Sequence, residues 1–99
     1  MHRVIALPKV VKPCAAGDYY KVTPDEKMDL NLRELAPLLE KAGYRLGLVS
    51  GVMIAFVGKG KEFSLFSNGK LMIKGIDSTK EALKAAEEIY NLIISRIKH

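Results

Sequence analysis

Apolar residues recur along this chain with two periods, and the change of period marks its elements. Leu32, Leu35, Leu38, Leu39 and Ala42 keep helical spacing, and Gly43 follows as a natural stop. Asn31 with Glu34 three residues later has the form of a capping box, so the pattern predicts a helix over 31–42. Pro37 interrupts it and implies a kink or a separate first turn. The spacing predicts a second helix over 79–97, capped by Ser78 with Glu81. Leu83, Ala86, Tyr90, Ile93 and Ile97 form its stripe, and Ala82, Ala85, Ile89, Leu92 and Ile94 widen it.

Between the helices the period shortens to two. Strands are predicted over 44–49, 52–57, 62–66 and 70–74, separated by Ser50-Gly51, Gly58-Lys59-Gly60-Lys61 and Ser67-Asn68-Gly69. Asn68-Gly69 carries the chain's strongest hairpin signal, a type I′ turn, because both residues tolerate positive φ. Residues 18–23 read as an earlier strand ended by Pro24. Residues 4–7 and 10–11 read as an extended segment broken at Pro8, and residues 13–17 as a loop. Asp25, Glu26, Lys27 and Asp29 form a charged connection. The order is strand, helix, four strands, helix: an α+β fold, an antiparallel β-sheet with two helices packed on one face. We expect one domain over 1–99, with residues 1–17 as an N-terminal extension.

Alternation also assigns faces. Val52, Ile54, Phe56, Phe63, Leu65, Leu71 and Ile73 should face the helices. The expected core is Leu35, Leu39, Ile54, Leu65, Ile73, Leu83, Ala86, Tyr90 and Ile93. The outer face then carries Met53, Ala55, Val57, Phe66 and Met72 beside Lys70 and Lys74. A sheet that merely faced water would be polar there, so this face implies a cover. Nucleic acid, a second copy, another protein, or the chain's own residues 3–11 would each serve.

Composition sharpens the choice of partner. The net charge is +5, and residues 58–74 hold Lys59, Lys61, Lys70 and Lys74 against Glu62 alone. Such a region meets phosphates or acidic protein; its other reading is solubility and protection of sheet edges. No apolar run reaches the ~18 residues of a membrane span, and the N-terminus does not read as a signal peptide, so a cytoplasmic location is expected. Candidate chemistry is thin. A single cysteine, Cys14, excludes an internal disulfide, and although Lys12 lies near it no base accompanies it. His2 and His99 sit at the chain ends, and the Gly58-Lys59-Gly60 turn lacks phosphate-loop spacing. No enzyme activity, metal or cofactor is expected.

From Asp29 to about Ile94 the chain resembles one repeat of the TATA-box-binding protein. The segments that carry the resemblance are DLNLRELAPLLEKAGY, GVMIAF, FSLFSNGKLMIKG and STKEALKAAEEIYNLI. The resemblance implies a half-saddle whose outer sheet face meets a DNA minor groove, with apolar wedges at base steps. Phe66 matches a wedge position, Val49 falls where the other wedge phenylalanine would be, and Met72 where a groove-facing valine would be. Lys74 replaces a groove-contacting threonine, Ala55 replaces a basic residue, and the family's first-strand asparagine has no clear counterpart near 19–22. A single repeat rebuilds a saddle only as a homodimer. The expectation is a non-enzymatic binding module that holds nucleic acid through the outer face of a homodimer. The alternative is a protein-interaction or dimerisation module without nucleic acid. In either case the binding residues are Val49, Met53, Lys59, Lys61, Phe66, Lys70, Met72 and Lys74.

Overall fold

The structure, a computed structural model, describes residues 10–16, 18–24 and 28–97. Its elements are β1 (Val10–Ala16), β2 (Tyr19–Pro24), α1 (Leu32–Lys41), β3 (Arg45–Val49), β4 (Met53–Gly58), β5 (Lys61–Phe66), β6 (Leu71–Lys74) and α2 (Thr79–Ile97). From β2 onward this is the predicted order of strand, helix, four strands, helix. The strands form one antiparallel sheet in the order β1-β2-β6-β5-β4-β3.

The N-terminal segment departs from expectation. Residues 13–16, expected in a loop, belong to β1, which pairs with β2 through a register shift between Val11 and Cys14. Pro13 lies at that shift, where an edge strand tolerates a residue without an N–H. Residues 10–11 therefore lie in the sheet beside β2 and do not cover its outer face; residues 3–9 of the expected cover lie outside the described residues. His2 and His99 also lie outside them.

Both helices pack on the opposite face. Ile54, Phe56, Phe63, Leu65, Leu71 and Ile73 form one buried cluster with Leu32, Leu35 and Leu39 of α1 and Ile89, Tyr90 and Ile93 of α2. Leu83, expected in the core, is only half-buried. The contact line of α2 runs through Ala82, Ala85, Ala86, Ile89 and Ile93, and Leu83 is turned ~100° from Ala82 onto its flank. Val52, expected to face the helices, is 67% exposed. The Ser50 hydroxyl oxygen accepts from the N–H groups of Val52 and Met53, each at 3.1 Å, and turns the chain before β4 begins. Among the described residues no helix is long and apolar enough to cross a membrane.

Capping follows the sequence at one helix only. Ser78 Oγ accepts from Glu81 N–H at 3.2 Å. The Asn31 side chain makes no cap bond; its carbonyl accepts from Glu34 and Leu35 N–H at 3.1 and 3.3 Å instead. Pro37 sits inside one continuous helix. Without an N–H, Pro37 cannot donate to the carbonyl of Arg33, a residue on the exposed side of the helix.

The type I′ turn expected at Asn68-Gly69 is found at the other hairpin instead. Gly58 pairs with Lys61 across Lys59 (φ 55°) and Gly60 (φ 78°), so the two-residue I′-like turn joins β4 to β5. Between β5 and β6, Gly69 has φ 95° and Asn68 has no positive φ. There Phe66 N–H donates to the Lys70 carbonyl at 2.9 Å, enclosing Ser67, Asn68 and Gly69 as a three-residue loop. The Asn68 side chain explains the difference, because its Oδ1 accepts from Lys70 N–H at 3.0 Å.

This loop is tied to α2. The fully buried Tyr90 donates its hydroxyl to the Gly69 carbonyl at 2.6 Å, and burial holds that hydroxyl protonated far above its usual range. The φ of 95° at Gly69 favours glycine, and a Cβ there would also stand 2.7 Å from Met28 Sδ, so that the Met28 side chain would have to shift. Tyr90→Phe leaves the Gly69 carbonyl without this donor, at a cost of about 1–2 kcal/mol. A melting temperature lower by roughly 5–10 °C is expected, and an unchanged one would show that the bond contributes little.

Candidate functional site

Pairing register turns the outer face into three rows that cross the strands, because directly opposed residues share a face. The first row is Tyr19, Lys74, Glu62, Val57 and Arg45, each the register partner of the next. The second is Lys21, Met72, Ser64 and Ala55. It ends at β3, where two residues, Gly47 and Leu48, fill the space opposite Ala55 alone. The third row holds Phe66 opposite Met53, with Lys70 bonded across the hairpin. None of these side chains is buried, whereas the alternate residues Val22, Ile54, Phe56, Phe63, Leu65, Leu71 and Ile73 all are.

Heights differ between rows. Ser64, Ala55 and Gly47 make a low floor, and the longer side chains of the first row stand beside it. The result is a cavity of about 300 Å³ on the sheet, bounded by Tyr19 and Lys74 on one side and Arg45 on the other. Arg45, Lys74 and Glu62 are the charged residues that line it, and the face around it is predominantly basic. Lys21, Arg45, Lys70 and Lys74 lie on this face with Glu62, and Lys74 Nζ stands 3.7 Å from Asp18 Oδ2 in an exposed, loose pair.

The structure separates the residues expected to act together. Met53, Phe66, Lys70, Met72 and Lys74 share the outer face. Val49 does not: its register partner is the fully buried Ile54, so the β3 bulge moves it to the helix-side register, where the sheet edge leaves it 36% exposed. Lys59 and Lys61 also fall on the helix side. Lys59 Nζ donates to Glu88 at 3.2 Å and stands 5.4 Å from the Tyr44 ring centre. The Glu88 hydrogen bond, reinforced by Tyr44, holds the Lys59 ammonium above its usual pKa. Lys61 Nζ donates to the Lys59 carbonyl at 3.2 Å. The basic segment is therefore divided between two faces by strand alternation.

Four residues of the face escaped sequence reasoning: Tyr19, Lys21, Arg45 and Glu62. Tyr19 and Lys21 alternate with Tyr20 and Val22, so period two carried their signal once β2 was recognised. Arg45 was legible in the same way from its spacing to Gly47, but the bulge after Leu46 breaks the alternation further along.

Residues 22–95 match the family model described as Transcription factor TFIID (or TATA-binding protein, TBP). No curated protein and no solved structure matches the chain.

Proposed function

This chain belongs to the TATA-binding protein family, and on that premise we propose that it is a non-enzymatic module binding nucleic acid through its outer sheet face. One observation carries the reading. Lys21, Arg45, Lys70 and Lys74 share a face with Met53, Phe66 and Met72, opposite the face that the helices cover. The cations supply phosphate contacts, and the apolar side chains supply contact to sugars and bases. A mobility-shift titration at two salt concentrations tests it. Binding that weakens steeply with salt supports the reading, and no binding at low salt removes it.

A specific observation favours a second surface, for a second copy of the chain. Leu48, Val49, Val52 and Val57, respectively 52%, 36%, 67% and 41% exposed, are the exposed large apolar residues among those described, and all lie on β3, β4 or their connection. β3 is an edge of the described sheet, while the opposite edge, β1, carries Pro13. Antiparallel pairing of β3 with a copy of itself places the two-fold axis through the sheet. Both outer faces then point the same way, as one continuous surface. Its two Arg45 side chains lie at opposite ends of the seam. Leu48→Lys with Val52→Lys should convert a dimer to a monomer in light scattering. A wild-type chain that is monomeric at high micromolar concentration would remove the homodimer and leave the single face.

A further inference from the structure

We propose that the cavity on the outer face is a seat for an unpaired base, so that this chain prefers single-stranded nucleic acid to a duplex. The inference rests on the outer face being the nucleic-acid surface and goes on to name the form of strand that it takes.

Three features of the cavity support it. The first is shape. Its volume, about 300 Å³, lies at the lower end of the ~300–1,000 Å³ of pockets that hold small molecules. The floor of Ser64, Ala55 and Gly47 lets a planar group approach the backbone. A base inside a duplex enters such a recess only at a cost of about a few kcal/mol for unpairing and unstacking, a cost that an unpaired base is spared. The second is the half-buried aromatic ring of Tyr19 at the rim. A ring beside a cationic groove is the arrangement on which single strands stack, tolerant of sequence because every base has a π-face.

The third is charge order. Glu62 occupies the middle of the first row, between Lys74 on one side and Val57 and then Arg45 on the other. Its carboxylate repels a phosphate laid across the row and accepts a hydrogen bond from an exocyclic base amine. Arg45 and Lys74 are three strand spacings apart, ~14 Å at ~4.8 Å each. They therefore stand at the two ends of the recess, where a backbone entering and leaving it would pass. The face also lacks a paired apolar wedge for prising a duplex step, because Val49 lies on the other register from Phe66.

Fluorescence anisotropy on the full chain tests this with labelled 12-nucleotide strands of DNA and RNA and with the duplex of the same DNA sequence. The duplex has the higher charge density, so counterion release alone favours it. We expect either strand to bind at least about tenfold more tightly than the duplex, a margin that stacking of one or two bases supplies. Ala55→Ile fills the floor and should lower strand affinity roughly tenfold while leaving duplex affinity within about twofold. Tyr19→Leu removes the ring without entering the core and should lower strand affinity about fivefold or more. A duplex bound as tightly as the strands overturns the inference and leaves the nucleic-acid reading intact. So does unchanged strand binding by both variants, each shown to be folded by its thermal melt. Absence of binding to every probe at low salt overturns both.

Discussion

Replacing Lys70 and Lys74 together by Ala is expected to weaken binding of duplex DNA on the order of 50-fold at 0.1 M salt. Each phosphate contact releases counterions, giving a slope of log affinity on log salt of ~0.9 for duplex DNA. At 0.1 M, one decade below the molar reference, each contact is therefore worth about 0.9 of a decade, and two are worth nearly two decades. Lys70 and Lys74 are on β6 and its approach, two strands in from the β1 edge of the sheet, and their side chains share the outer face with Met72. The slope should become shallower by roughly 1.8 in the same titration. The control is internal to the fold. Lys59→Ala and Lys61→Ala should leave the slope unchanged, since both side chains lie on the helix side and Lys59 already pairs with Glu88. Equal losses from the two pairs would mean that the ligand does not distinguish the faces, and the assignment to the outer face would fall.

Phe56→Ala should cost about 3–5 kcal/mol of folding stability. The ring is 1% exposed and stacks on Phe63 with centroids 4.9 Å apart at 8°. Tyr44 meets both edge-on, at 5.3 Å from Phe56 and 5.5 Å from Phe63. Such ring pairs contribute ~0.5–1.5 kcal/mol beyond the area they bury. Phe56 lies between Ala55 and Val57 on β4, so the trio supports from beneath the strands that carry the outer-face rows. A small domain has only about 5–15 kcal/mol of stability in total. Denaturant titration of the variant should therefore show a much earlier midpoint with similar steepness. A loss under about 1 kcal/mol would show that the trio is not the packing centre of this half of the sheet.

These two expectations draw on different levels of information. That Phe56 and Phe63 face inward followed from alternation, because a strand's side chains change sides at every residue whatever surrounds it. The same rule assigns Met53, Phe66, Met72 and Lys74 to the outer face from the sequence alone. It also stood ready to place Tyr19 and Lys21 there. Alternation fails where a strand gains a residue. The bulge between Leu46 and Val49 is invisible in the sequence, and it sends Val49 to the other register.

Charge was less legible than face. Lys59, Lys61, Lys70 and Lys74 are neighbours in sequence and read as one basic region. The tight Lys59-Gly60 turn and the parity of β5 put the first two beside α2 and the last two on the open face. Turn chemistry was similarly divided. Asn68-Gly69 marked a hairpin correctly, but whether Asn68 took a positive φ depended on a side-chain hydrogen bond to Lys70.

The sequence by itself determined the elements from β2 onward, their order, the inner face of the sheet apart from Val52, and the family. Those are fixed by local periods of 3.6 and 2 and by turn and cap residues, which act over a few positions. Only the tertiary structure decided that residues 10–16 extend the sheet as β1, that Tyr90 anchors the β5–β6 loop, and that Tyr19, Arg45, Glu62 and Lys74 stand in one row around a recess. Each of these depends on which strand lies beside which and in what register. That choice is made by packing and hydrogen bonding between residues far apart in the chain, and no local pattern records it.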